Sequence, residues 1–232
     1  MRISACTAST IALALGAVSP AAGGDRAHPT VVELFQSQGC SSCPPANANL
    51  LTVAGRADVL ALSFGVTYWD QLGWKDTFAQ PSFTARQWDY AHRLSRASVF
   101  TPETIVNGRA DGVGADPAEF HGLLARGDRG AGGPALAATG GQVTVGRGPA
   151  PREGADIWLV RYDPHVVQVA IKRGENGGRT LPHRNVVRAL IRLGVWRGAP
   201  VTLPLPAAAP DLDQAILVQA AHGGPILAAA RA

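Results

Sequence analysis

Apolar residues recur along this chain at two spacings, and the change between them sets out the elements. Thr30 to Phe35 is a nearly continuous apolar run in which Glu33 is the single charged residue, the pattern of a buried strand. Pro44 and Pro45 then mark the first turn of a helix, where a proline's missing N–H costs nothing. That helix is predicted through Ala46, Leu50, Leu51 and Val53 to about Ala54, with Gly55 ending it and Ser42 or Cys43 near its N-cap. Val59 to Phe64 reads as a second buried strand of parallel type. From Thr84 to Ala97 the spacing of Trp88, Ala91 and Leu94 is helical. Pro102 opens a further strand that reaches an Asn107-Gly108 turn, the pair preferred in tight hairpins. A return strand is expected near Val113, then a helix from Pro117 to about Arg126 facing inward through Phe120, Leu123 and Leu124.

Residues 127–134 are rich in glycine and read as a linker. Beyond them the apolar runs are short: Ile157–Val160, Val166–Ile171, Val186–Leu193, Val201–Leu205, Ile216–Val218 and Ile226–Ala228. Turn-rich segments separate them, which predicts a small antiparallel sheet or sandwich. The expected organisation is an α/β domain with a helical insertion over 28–127, a linker over 128–137, and a smaller β-rich, sandwich-like domain over 138–232.

Residues 1–24 begin with Arg2, continue with an apolar stretch from Ile11 to Val18, and end in small residues before Asp25. This is the make-up of a cleaved secretory signal, and the apolar stretch is too short for a permanent anchor. No later run is long and apolar enough to span a bilayer as a helix. A bacterial periplasmic or secreted protein is expected. Of the 232 residues 46% are hydrophobic and only 16% charged, which excludes disorder along the whole chain. The net charge of +4 comes from scattered arginines rather than a basic patch, so nucleic acid is not an expected partner. No phosphate-cradling glycine motif implies an organic cofactor.

Removal of the leader takes away Cys6 and leaves one pair, Cys40-Ser41-Ser42-Cys43, between the first strand and the first helix. Two thiols two residues apart at such a turn suit reversible thiol–disulfide exchange. A static bridge is the alternative, although a loop this small constrains the unfolded chain little. Zinc would need about four ligands, and no second cysteine pair exists. Soft thiolates also suit Cu(I), so a metallochaperone-like module using the same two cysteines stays open. No metal ligand set is assigned: His28, His92, His121, His165, His183 and His222 are dispersed, and each reads as an ordinary surface or core residue.

Gly39-Cys40-Ser41-Ser42-Cys43-Pro44 after a strand, followed by Thr101-Pro102 opening a strand that ends at Asn107-Gly108, resembles the thioredoxin superfamily. The resemblance implies a thioredoxin-like fold for the first domain, with Pro102 in cis facing the cysteines. A fuller set of segments is similar to one secreted bacterial family, domain of unknown function 1223. These are Val32–Phe35, Ser37–Pro45, Tyr68-Trp69-Asp70, Gly73–Asp76, Arg86-Gln87, Arg173–Asn176 and Arg184–Val187.

From these follow the expected site roles. Cys40 is the exposed attacking thiol and Cys43 the buried resolving one. Ser41, Ser42, Thr101 and Pro102 shape the substrate groove. Trp69 and Trp74 either wall that groove or pack an inserted helical layer. Glu33, inside the strand feeding the turn, is either a proton relay for the resolving cysteine, as the resemblance implies, or the partner of an arginine. The loop Arg173–Arg179 is either a tight turn or a docking segment that meets the first domain or a partner. Periplasmic protein thiols and a redox partner protein are the expected partners. With no cation between the cysteines, the potential should be less oxidising than the roughly −120 mV of strong periplasmic oxidants.

Overall fold

The computed structural model describes residues 24–232; the expected export signal, apart from Gly24, lies outside them. Its elements in chain order are β1 Thr30–Gln36, α1 Cys43–Val53, β2 Val59–Gly65, α2 Pro81–Arg93, β3 Glu103–Val106, β4 Ala110–Gly112 and α3 Pro117–Arg126. There follow β5 Leu136–Thr139, β6 Gln142–Val145, β7 Ala155–Asp163, β8 Val167–Ala170, β9 Thr180–His183, β10 Val186–Trp196, β11 Val201–Pro204, β12 Asp213–Ala220 and β13 Ile226–Arg231.

Eight strands form one mixed sheet in the order β13-β12-β7-β10-β2-β1-β3-β4. β1 and β2 are parallel and fully paired from Thr30↔Val59 to Gln36↔Gly65. β3 runs antiparallel to β1, and β4 to β3. The β3–β4 turn falls at Asn107-Gly108, with both φ angles positive at 49° and 62°, which is what a two-residue primed turn needs. Glycine is required at 108 for a second reason, since a Cβ there would stand 2.8 Å from the Gly224 carbonyl oxygen.

Strand alternation assigns the two faces. Val32 and Leu34 of β1 join Ala61 of β2 in a core covered by α1 (Ala46, Leu50, Val53) and α3 (Phe120, Leu123). Val31 and Phe35 join Leu60, Leu62 and Phe64 on the opposite face, under Phe83 and Tyr90 of α2. α2 ends at Arg93, earlier than its periodicity suggested, and β4 sits just before Val113 rather than around it.

The expected boundary at 128–137 does not interrupt the sheet. β10 pairs with β2 at Val186↔Ser63, and the Ser63 N–H donates to the Asn185 carbonyl at 3.0 Å. Asn185 is buried and left-handed (φ 51°), and its side-chain amide donates to the carbonyls of Ala54 and Ala61. The α2-side core likewise runs across the boundary, through Val160, Tyr162, Val187 and Leu217. A split into two domains is therefore not visible in the sheet.

Strands β11-β6-β5 form a separate small sheet whose Val143 and Val145 pack on Ile157, Leu159, Ile216, Val218 and Trp196. That is a sandwich-like layer against part of the large sheet. β8 and β9 make a third, two-stranded ladder.

Candidate functional site at the Cys40–Cys43 turn

β1 delivers the chain to Gln36, and the turn that follows is held by backbone bonds: Cys40 N–H to Ser37 O at 3.1 Å and Cys43 N–H to Cys40 O at 3.2 Å. Cys40 and Cys43 are joined in a disulfide with their Cα atoms 5.4 Å apart. Ser42 is the N-cap of α1 but makes no side-chain cap; its hydroxyl lies 3.3 Å from Cys40 Sγ instead. The next three residues are Cys43, Pro44 and Pro45. Two have no N–H and the third already uses its own on Cys40 O, so this helix start offers few free donors for a thiolate. The Ser42 hydroxyl is the hydrogen-bonding partner of Cys40 Sγ.

The Thr101–Pro102 bond is cis, as the resemblance implies, and Pro102 is buried. Ser41 and Ser42 are exposed, while Thr101 is half-buried.

Two segments close over the turn. In the first, the buried Asp76 carboxylate accepts from the N–H groups of Gln38 and Phe78, both at 2.7 Å. Burial pushes its pKa up to about 6. Gln38 Oε1 accepts from the Trp74 indole at 2.9 Å, which sets Trp74 beside Gly39.

The second segment comes from the far end of the chain. Glu175 accepts from the Ser41 N–H at 3.0 Å and the Ser41 hydroxyl at 2.7 Å. Those two bonds hold its carboxyl below the ordinary range. Asn176, fully buried, donates to the carbonyls of Gln38 and Cys40, both at 2.9 Å. Gly174 packs directly against Gly73 and Trp74, where both glycines have positive φ and a Cβ on Gly73 would lie 3.3 Å from Gly174 Cα. The loop 173–179 thus docks on the cysteine turn.

Docking corrects one expectation. Cys40, expected to be exposed, is 0% exposed, and Cys43 is 1% exposed. The cause is the cover made by Trp74, Glu175 and Asn176; the hydrogen bonds of the last two to the turn span 134–138 positions of sequence.

Of the two readings of Glu33, the structure shows the arginine pair. Its carboxylate is paired with Arg86 Nε at 2.8 Å and Nη2 at 3.1 Å, and it accepts from the Tyr90 hydroxyl. Arg86 also donates to Gln219 of β12 at 2.9 Å. Glu33 shares a face with Val31 and Phe35, under α2, whereas Cys43 begins α1 on the other face. A shift of one residue along a strand exchanges faces. Glu33 is an arginine partner here, not a relay to Cys43.

The tryptophans divide. Trp74 walls the turn, while Trp69 packs against the α2-side core around Phe35 and Phe64. Glu103, next to Pro102, is a buried acid with one partner, the Gln87 amide at 2.6 Å; burial pushes its pKa up to about 7.

A family model described as Protein of unknown function (DUF1223) matches residues 31–219. The chain belongs to the DUF1223 family. Protein AGR_C_4864 from Agrobacterium tumefaciens is 33% identical, with a TM-score of 0.71, over 90% of this chain and 94% of that one. HBP35 of Porphyromonas gingivalis is 14% identical with a TM-score of 0.53, over 90% of this chain and 76% of that one, a likeness of fold alone. No curated protein matches. The stretch matched to DUF1223 contains the cysteine turn, Asp76 and the 173–179 loop, so turn and cover lie in one family segment.

Among the described residues, no group of three His, Cys, Asp or Glu is placed to hold a metal ion. No helix among them is long and apolar enough to cross a membrane.

The sequence does not mark Gln38 or Asp76 as site residues: Asp76 carries no local chemical signal, and its bond to the Gln38 N–H spans 38 positions.

Proposed function

We propose that this protein is an exported thiol–disulfide exchanger of thioredoxin-like architecture, acting on protein thiols through Cys40 and Cys43. The observation that carries the reading is the disulfide itself, closed over a sequence separation of three at a strand-to-helix turn. So short a loop gives little stability through the unfolded chain, which leaves reversible chemistry as its use. The strand order β2-β1-β3-β4 and the cis bond before Pro102 support the architecture. The cover over Cys40 must lift for a protein substrate to reach that sulfur. Glu175 places a carboxylate beside the turn, which disfavours thiolates and pulls the potential toward the reducing side.

A static bridge is the second reading, and one observation favours it: the near-complete burial of both cysteines. The experiment separating the two is mixed-disulfide capture from periplasmic extract with Cys43→Ser and Cys40→Ser variants. Exchange predicts covalent adducts released by reductant with at least one of them, whereas a static bridge yields none with either.

A further inference from the structure

Arginines that lie scattered along the sequence gather in space where α1 ends. A cleft of about 610 Å³ opens there, lined by Arg26, Arg56, Arg184 and Arg231 against a single acid, Asp213. Its volume falls within the roughly 300–1,000 Å³ of small-molecule sites. The disulfide stands at the first residue of α1 and the cleft begins at Ala54, just past the last, so about 16 Å of helix separates the two.

Two of the guanidiniums are set in place by backbone groups. Arg184, in the turn between β9 and β10, donates from Nε to the Pro164 carbonyl at 3.1 Å. Its Nη1 stands over Gly55, where an added Cβ would lie 3.4 Å from it. Neither Nη of Arg184 has a hydrogen-bond partner among the described residues. Arg231, at the end of β13, donates from Nη1 to the Ala57 carbonyl at 2.9 Å and from Nη2 to those of Arg56 and Val59. Gly55, Arg56 and Ala57 themselves line the cleft, so both charged heads lie on its wall.

Bonds to neutral carbonyls fix a guanidinium without cancelling its charge. Among the described residues neither Arg184 nor Arg231 forms an ion pair with a carboxylate. Arg56 is different, since Asp58 accepts from both its Nε and its Nη2. Asp213 offsets one further arginine, and the C-terminal end of α1 contributes about half a negative charge. A net positive charge of about one and a half remains on the cleft. Arginine forks match the planar oxygens of phosphates and carboxylates, and here they are held ready with their charge unmatched. Arg184 also belongs to the Arg184–Val187 segment that resembles DUF1223, and the cysteine turn makes no use of it.

We propose that this cleft binds a small organic polyanion carrying phosphate or carboxylate groups, held by Arg184 and Arg231. The site shares no residue with the cysteine turn, so the inference stands apart from the exchange reading.

Isothermal titration of the full chain with pyrophosphate and, separately, with citrate tests it and tells the two oxyanions apart. At an ionic strength of about 0.15 M, at least one should bind with a Kd below about 1 mM. Arg184→Gln should weaken that binding about tenfold or more. Arg192→Gln should leave it unchanged, because Arg192 pairs with Asp156 and lies outside the cleft lining. Failure of both anions to bind, or an equal effect of the two substitutions, would overturn the inference. A second measurement needs no variant: phenylglyoxal modification read by peptide mass spectrometry. The bound anion should protect Arg184 and leave Arg192 reactive. Modification of Arg184 at the same rate with and without anion would overturn the inference.

Discussion

Two buried polar centres sit on opposite faces of the same sheet, and they are held in different ways. On the α2 face, Glu33, Arg86, Tyr90 and Gln219 come from a strand, a helix and a distant strand. Their positions are fixed by regular elements packed in the core. On the other side, the Cys40–Cys43 turn is closed by two loops, Gly73–Asp76 and 173–179, through single hydrogen bonds to backbone groups and to the Gln38 side chain. A centre pinned by elements joins the halves of the sheet. A centre closed by loops can be uncovered without unfolding anything else.

The largest effect should come from breaking the pinned centre. Arg86→Met leaves Glu33 buried without a counter-charge and should cost about 3–5 kcal/mol in urea unfolding. Reduction of the disulfide should keep its wild-type rate in the folded variant. A Glu33→Leu/Arg86→Met double variant should recover most of the loss, because no charge is left stranded.

Glu103 sharpens the contrast as an acid on the same face without an arginine. Its folded pKa of about 7 lies above the unfolded value near 4.3. The folded state therefore holds the extra proton, and this stabilisation is present below about pH 4.3 and lost as pH rises through 7. Glu103→Gln should remove that fall, about 1.4 kcal/mol per pH unit inside the window, as seen in denaturation midpoints measured across it.

At the covered turn, Asn176→Ala removes two donors and should cost about 1–3 kcal/mol. In a Cys43→Ser background it should also speed alkylation of Cys40 about tenfold, for roughly 1.4 kcal/mol of cover strength. Unchanged alkylation would mean that the loop is not the cover. The smallest effect is expected from Glu175→Gln, which removes a negative charge beside Ser41 and should make the pair more oxidising by on the order of 10 mV, read from a glutathione titration.

Much of the sheet was legible because local signals agreed. Pro44 and Pro45 placed the start of α1, and Asn107-Gly108 placed the β3–β4 turn. β5 and β6 were missed although Gly140-Gly141 stands between them with two positive φ angles; the Leu-Ala-Ala-Thr of β5 has one β-branched residue, Thr139, and two alanines, a weak strand signal. Pro182 hid β9 in the same way.

Glu33 was singled out correctly as a costly residue. Its role follows from face, which needs the register of the whole strand and the position of Arg86 some fifty residues on. Exposure of Cys40 was misjudged for a similar reason. Its cover is built from Glu175 and Asn176, and nothing local to the cysteines announces a loop that far away.

The reduction potential of the Cys40–Cys43 pair in the full chain tests the central claim most directly. An exchangeable pair beneath a removable cover predicts a value above about −300 mV and below about −120 mV. A value under −300 mV would mark a bridge that the glutathione pool cannot open, and would contradict the account.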